Sequence, residues 1–147
     1  MGLIRALASS ASGLAAQRVR MDVVASNVAN IETTSTPEGG PYQRKVVRFA
    51  SGDSTLPFSN VIRRFTGGAD TGVVLTQVTV DEDSPGRSAY DPAHPDAGAD
   101  GFVELPNVDM VQEMTDLTSA NRSYQANVTV LNAVKQMALR ALDISSR

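Results

Sequence analysis

The chain has no cysteine and no tryptophan among its 147 residues, and aromatic side chains make up only 5% of it. Without cysteine there are no disulfides and no thiolate metal ligands. Only one histidine, His94, is present to anchor metal or acid–base chemistry. No run of about 18 apolar residues occurs, so no helical membrane span is expected. The longest basic clusters are Arg44-Lys45 and Arg63-Arg64, and the net charge is −3 with a pI near 5.0. That balance argues against nucleic acid as a main partner. The opening MGLIRALASSASGLAAQ has a superficial likeness to a signal peptide, but Ser9, Ser10, Ser12 and Gly13 interrupt its apolar part, so no cleavage is expected. Ala6 stands where myristoylation wants Ser or Thr.

What the chain does have is a seven-residue rhythm at both ends. Leu7, Leu14, Met21 and Val28 are spaced by seven near the start; Met110, Leu117, Tyr124, Leu131 and Ala138 repeat the spacing near the end. Such apolar rows mark helices that pack along their length against other helices. Hydrophobic residues reach 41%, many of them Ala and Val, which suits close helix contact better than a bulky core. Residues 3–31 read as one helix, with Gly13 a point of kinking or close approach. It should end near Asn30, a residue that tolerates a left-handed cap. The C-terminal helix should begin after Pro106, capped by Asn107 or Asp109 with Gln112 in capping-box position, and no Pro or Gly interrupts it up to Ile144. Its apolar residues occupy more than one face: Met114, Asn121, Val128, Lys135 and Leu142 form a neighbouring row, and Ala120, Val134 and Ala141 another. One partner helix accounts for one face only, so neighbouring chains are expected on the rest. Asn121 and Asn127 are placed to specify register rather than add stability.

Between the helices, ETTSTPEGGPY reads as a loop. Strands are expected at Tyr42 to Phe49, Val73 to Val80 and Arg87 to Tyr90, with a further extended run from Phe102 to Pro106. The alternation in Val73 to Val80 suggests one drier face, and the polar, Gly-containing Ala50 to Gly72 shows no clear period. So few apolar residues allow only a small sheet. The expected fold is mainly α with a small β part. Residues 1–31 and 107–147 form long helices that pair, and residues 32–106 form a small β-rich central domain.

No constellation for chemistry emerges. Around His94, Asp91, Asp96 and Asp100 offer carboxylates for metal binding or proton transfer, but a Pro-fixed polar turn whose Asp residues bond their own backbone explains the same residues. An EF-hand register starting at Asp81 meets Pro85 and Pro92 where ligands are needed. The register starting at Asp96 has Gly98 in a ligand position and Asn107 in place of the bidentate Glu. Neither Gly39-Gly40 nor Gly67-Gly68 belongs to a phosphate loop. We therefore expect no catalytic residues, no metal and no cofactor.

Three stretches resemble the flagellar axial protein family. Residues 13–34, GLAAQRVRMDVVASNVANIETT, are similar to the N-terminal signature of rod and hook subunits, with Ala25, Asn27 and Asn30 in its core. YDPAHPDAGADGFVELPNV resembles the stretch that separates one kind of proximal rod protein from its sister rod proteins, through Tyr90, Asp91, Pro92, His94, Pro95, Asp100, Gly101 and Asn107. The C-terminal MVQEMTDLTSANRSYQANVTVLNAVKQMALRALDI looks like the family's C-terminal helix, and GGPYQRKVV fits as well. The resemblance implies a rod subunit whose terminal helices pair as a coiled coil and stack into a hollow tube. It implies export through the flagellar type III apparatus without a cleaved signal. The implied partners are copies of the chain, other rod proteins and the adaptor joining rod to ring. In that signature Asn27 and Asn30 are expected to end the first helix and bond its turn. Two other readings stand beside this one: a module binding a ligand or peptidoglycan through the loop from Asp91 to Gly101, and a peripheral membrane helix whose basic face has only Arg5, Arg18 and Arg20.

Overall fold

The computed structural model describes residues 2–51, 72–81 and 83–145. Helix α1 spans Gly2–Ala29 and helix α2 spans Met110–Ser145. Between them, among the described residues, lie four strands: β1 (Lys45–Ser51), β2 (Val73–Val80), β3 (Arg87–Tyr90) and β4 (Phe102–Leu105). The fold is thus two helices with small antiparallel sheets. Most of the residues read as Ala50 to Gly72, including Arg63 and Arg64, lie outside the described residues.

At 1.5 Å per residue α1 is about 42 Å long and α2 about 54 Å. They run side by side in opposite directions. Two contacts set the register: Asn27 bonds Glu113, and Gly13 lies against Asn127. The step from Gly13 to Asn27 along α1 matches the step back from Asn127 to Glu113 along α2. A Cβ on Gly13 would sit 3.0 Å from the Asn127 side-chain nitrogen, so this glycine is a point of close approach. The buried strip is made of small residues, with Ala16 and Val24 on α1 and Ala120 and Val134 on α2. Small side chains let the helix axes come close, which matches the Ala- and Val-rich composition.

The helix ends follow local chemistry. Asp109 Oδ1 accepts the Val111 N–H at 2.9 Å, capping α2 as expected. The end of α1 differs from expectation, because among the described residues no non-glycine has a positive φ. Asn30 stops the helix by another route. Its Nδ2 donates to the Ser26 carbonyl at 2.8 Å, and its Oδ1 accepts from the Thr33 hydroxyl at 3.2 Å. The side chain thereby doubles up on the Ser26 carbonyl that the Asn30 N–H also bonds, and ties the following turn to Thr33.

Strands β1 and β2 form an antiparallel ribbon from the pair Lys45–Val80 to the pair Ser51–Val73, with a shift between Arg48 and Phe49 that leaves Thr76 as the extra residue of a bulge. The ribbon lies along α1. The Arg20 guanidinium sits 4.9 Å from the Phe49 ring centroid, and Ser12 Oγ accepts the Val73 N–H at 3.0 Å. The drier face expected on β2 is not formed within one chain: Val73, Val74, Leu75, Val78 and Val80 are all exposed. Two strands against one helix cannot cover both sides of a ribbon. Strands β3 and β4 pair separately, so the middle holds two small sheets rather than one. Val103 on β4 is buried, as are Pro106 and Val108 just after it.

Candidate assembly interface

Where the end of α1 meets the start of α2, four side chains close a polar knot. Asn27, inside the last turns of α1, is 1% exposed, and Glu113, in the first turn of α2, is 0% exposed. Asn27 Nδ2 donates to the Lys45 carbonyl at 2.9 Å and to Glu113 Oε2 at 3.1 Å. Its Oδ1 accepts from the Tyr42 hydroxyl and from the Lys45 N–H, both at 2.9 Å. The amide therefore uses both donors and both acceptor positions. Arg44 Nε donates to Glu113 Oε1 at 2.6 Å, and its guanidinium lies 3.7 Å from Asp81 and 3.5 Å from Asp116.

Asn107 carries the knot into the middle of the chain. Its Oδ1 accepts the Arg44 N–H at 2.7 Å, and its Nδ2 donates to the carbonyls of Asp81 and Ser84 at 2.7 and 3.3 Å. The Ser84 hydroxyl and backbone N–H bond the Asp81 carboxylate and hold its pKa below the ordinary carboxylate value. A buried carboxylate is tolerable only when charge and hydrogen bonds are both answered, and here they are. The arrangement joins both terminal helices to the start of β1 and to the segment after β2. At its centre Asn27 and Glu113 are buried, with their hydrogen bonds made within the chain.

Asn27 was expected to end α1, and the structure places it differently, as the centre of the buried junction. A heptad count taken one row over contains the signal. Glu113, Ala120, Asn127 and Val134 are spaced by seven, as are Gly13, Arg20 and Asn27.

The rows read from the sequence fall as follows. Leu117, Tyr124, Leu131 and Ala138 are half-buried on α2, on the side that also carries Ala120 and Val134. Leu7, Leu14, Met21 and Val28 are half-buried on α1; at 100° per residue Leu14 and Met21 lie roughly a third of a turn from Asn27. Met110 is exposed at the first turn of α2, and Ala25 is exposed on α1.

The Tyr90–Gly101 stretch forms the connection of the β3–β4 hairpin. The Asp91 N–H donates to the Gly101 carbonyl at 3.0 Å, Asp91 Oδ1 accepts the Ala93 N–H at 3.1 Å, and His94 Nδ1 accepts the Asp96 N–H at 3.1 Å. The Asp96 carboxylate lies 3.9 Å from the same nitrogen. It also accepts from the Thr34 hydroxyl at 2.7 Å. Pro92 and Pro95 hold the bends, and Asp100 is exposed beside Gly101, whose φ of 75° suits glycine. No group of three or more metal-ligating side chains occurs among the described residues, and no described helix is long and apolar enough to cross a membrane.

Two family models match this chain. Residues 7–35 match the model described as flagella basal body rod protein, and residues 99–144 match flagellar basal body rod FlgEFG protein C-terminal. Over nearly its whole length the chain is 48% identical to the flagellar basal-body rod protein FlgC of Bacillus subtilis, covering 98% of this chain and 99% of that protein. The chain belongs to the FlgC family of flagellar basal-body rod proteins. The FlgC of Borreliella burgdorferi is 42% identical and that of Salmonella typhimurium 40%, each covering 98% of both chains. In this FlgC-family chain, both matched regions contribute to the knot: Asn27 lies in the first, and Asn107 and Glu113 lie in the second.

Proposed function

We propose that this chain is a structural subunit of the flagellar basal-body rod. Its terminal helices pair as a coiled coil and polymerise with copies of itself and with other rod proteins into the hollow shaft that carries torque from motor to hook and walls the export channel. The observation that carries the reading is the helix pair itself: two long helices locked in one register by the Asn27–Glu113 knot, with the outward face of α2 left uncovered in a chain of the FlgC family. A subunit that transmits torque needs a fixed internal register and an outer surface for neighbours, and no catalytic group. On this reading residues 1–31 and 107–147 form the shaft and residues 32–106 the outer domain. The rows beginning at Leu7 and Met110 line the assembly seam. The rod-to-ring adaptor and the type III export apparatus are the further partners, and the protein works in the periplasm-spanning rod after export without a cleaved signal.

Each fully buried leucine-sized contact contributes about 1.5–3 kcal/mol, so a seam repeated between subunits resists shear by number. Leu14→Asp and Leu131→Asp should each abolish motility and remove the subunit from isolated basal bodies. Full swimming with both substitutions present would defeat this reading.

A further inference from the structure

The outward face of α2 carries a shallow, open groove over its first four turns. Met110, Val111, Met114 and Thr118 line it, and Arg122 stands toward its far end. Val111 is 74% exposed and Met114 54%. Among the described elements α2 packs only on α1, so no other described helix or strand covers this groove. A second surface is open as well: the β3–β4 hairpin contacts no described helix and no strand of the other sheet, and touches the chain through loop residues such as Thr34.

That hairpin presents a rigid apolar feature. Tyr90 and Phe102 are 68% and 50% exposed and meet edge to face, with ring centroids 5.2 Å apart. Gly101 holds them in place, since a Cβ there would stand 2.9 Å from Tyr90 Cε2. The Asp91–Gly101 and Gly98–Phe102 backbone bonds, 3.0 and 2.9 Å, close the loop behind the rings. A feature already ordered before contact loses little freedom on docking.

The charges of the two surfaces are opposite. Arg122 is the one charged side chain in the lining of the groove, the carboxylates of the same turns, Glu113 and Asp116, being turned to Arg44. The hairpin carries Asp91, Asp96, Asp100 and Glu104, and its one basic residue, Arg87 at the base, donates to the Val108 carbonyl. Exposed aromatic rings flanked by acids suit an apolar groove that ends in a guanidinium, which can pair with a carboxylate or lie over a ring face.

We propose that the groove at the start of α2 receives the Tyr90–Phe102 hairpin of a second copy of this chain. Groove and hairpin are different patches on one molecule, so the contact is head-to-tail and propagates instead of closing as a symmetric dimer. The inference deepens the rod reading by naming one contact through which copies meet, and it rests on that reading for its biological setting.

Because the chain has no cysteine, introduced thiols report without background. The full-length chain with Phe102→Cys and Val111→Cys, oxidised at rising concentration, should give a ladder of disulfide-linked oligomers. A mixture of the two single variants should give cross-linked dimers across the hairpin–groove contact and no longer ladder through it. Adding Arg122→Glu should cut the ladder about tenfold or more, the effect of losing an interface anchor, and combining it with Asp100→Lys should restore part of it. Circular dichroism confirms folding of each variant; these positions are exposed, and the charge swap retains falsifiability if a thiol variant folds poorly. An intramolecular disulfide, a ladder equally strong from a thiol at exposed Gln43, or cross-links only to a different rod protein would overturn the proposal. Failure of the rod reading shows separately, as absence of the chain from isolated basal bodies while the ladder persists.

Discussion

At one end of the helix pair, Asn27 has all four of its hydrogen bonds and Glu113 has its arginine, all within one chain. At the other end, the register places Gly2 opposite Ala138, and α2 continues past it with Leu139, Leu142 and Ile144 at 53%, 66% and 79% exposure. The first end spends polar groups on fixing a single alignment. The second leaves apolar groups in water, where they contribute nothing to the isolated chain. Stability and surface for neighbours are thus separated along one pair of helices, and substitutions at the two ends should behave differently.

The sharpest break comes at the knot. Glu113→Ala leaves the Arg44 guanidinium and the Asn27 amide without their partner and should destabilise the chain by about 3–5 kcal/mol in urea unfolding, the cost of stripping one member from a buried pair. A loss below about 1 kcal/mol would mean that water answers these groups and that the junction is not closed. Midway along the pair, Gln17 Oε1 is buried without a partner. Gln17→Met removes that defect and should raise stability by about 1 kcal/mol, read as an upward shift of the same urea midpoint. At the open end, Leu142→Asp should change stability by less than about 0.5 kcal/mol, as surface substitutions do. It should nevertheless lower incorporation into basal bodies, measured by their subunit content. Equal stability losses at Glu113 and Leu142 would erase the distinction between the two ends.

Much of this architecture could be read before the structure, for identifiable reasons. The β2 and β3 limits match the expected Val73 to Val80 and Arg87 to Tyr90, because β-branched runs bounded by turn formers leave few alternatives. Strand β1 begins at Lys45 rather than Tyr42, since the Tyr42 and Arg44 backbones are held by Thr33 and Asn107 before the ladder starts. The polar turn around His94 could be anticipated from its own-backbone bonding alone. For the knot the sequence holds only the spacing of the Glu113 row, because a glutamate inside an apolar stripe reads as a solvated face, and an asparagine near a helix end reads as a cap. Both rules describe isolated elements. What overrides them is a contact between residues far apart in the chain, which local pattern does not encode. The resemblance marked Asn27 and Asn107 as important without saying that they belong to one junction.

The bond from Asn27 to Glu113 spans 86 positions of sequence. A helix of 28 residues with little to cover it is only marginally formed on its own, so α1 gains its partner late. The ring closed by that bond involves most of the polypeptide, and closing it is a slow, entropically costly step compared with forming either hairpin. With only the β1–β2 ribbon to lean on, the first helix must therefore wait until the last third of the molecule has been delivered, and folding completes once the final segment is free to swing back alongside it.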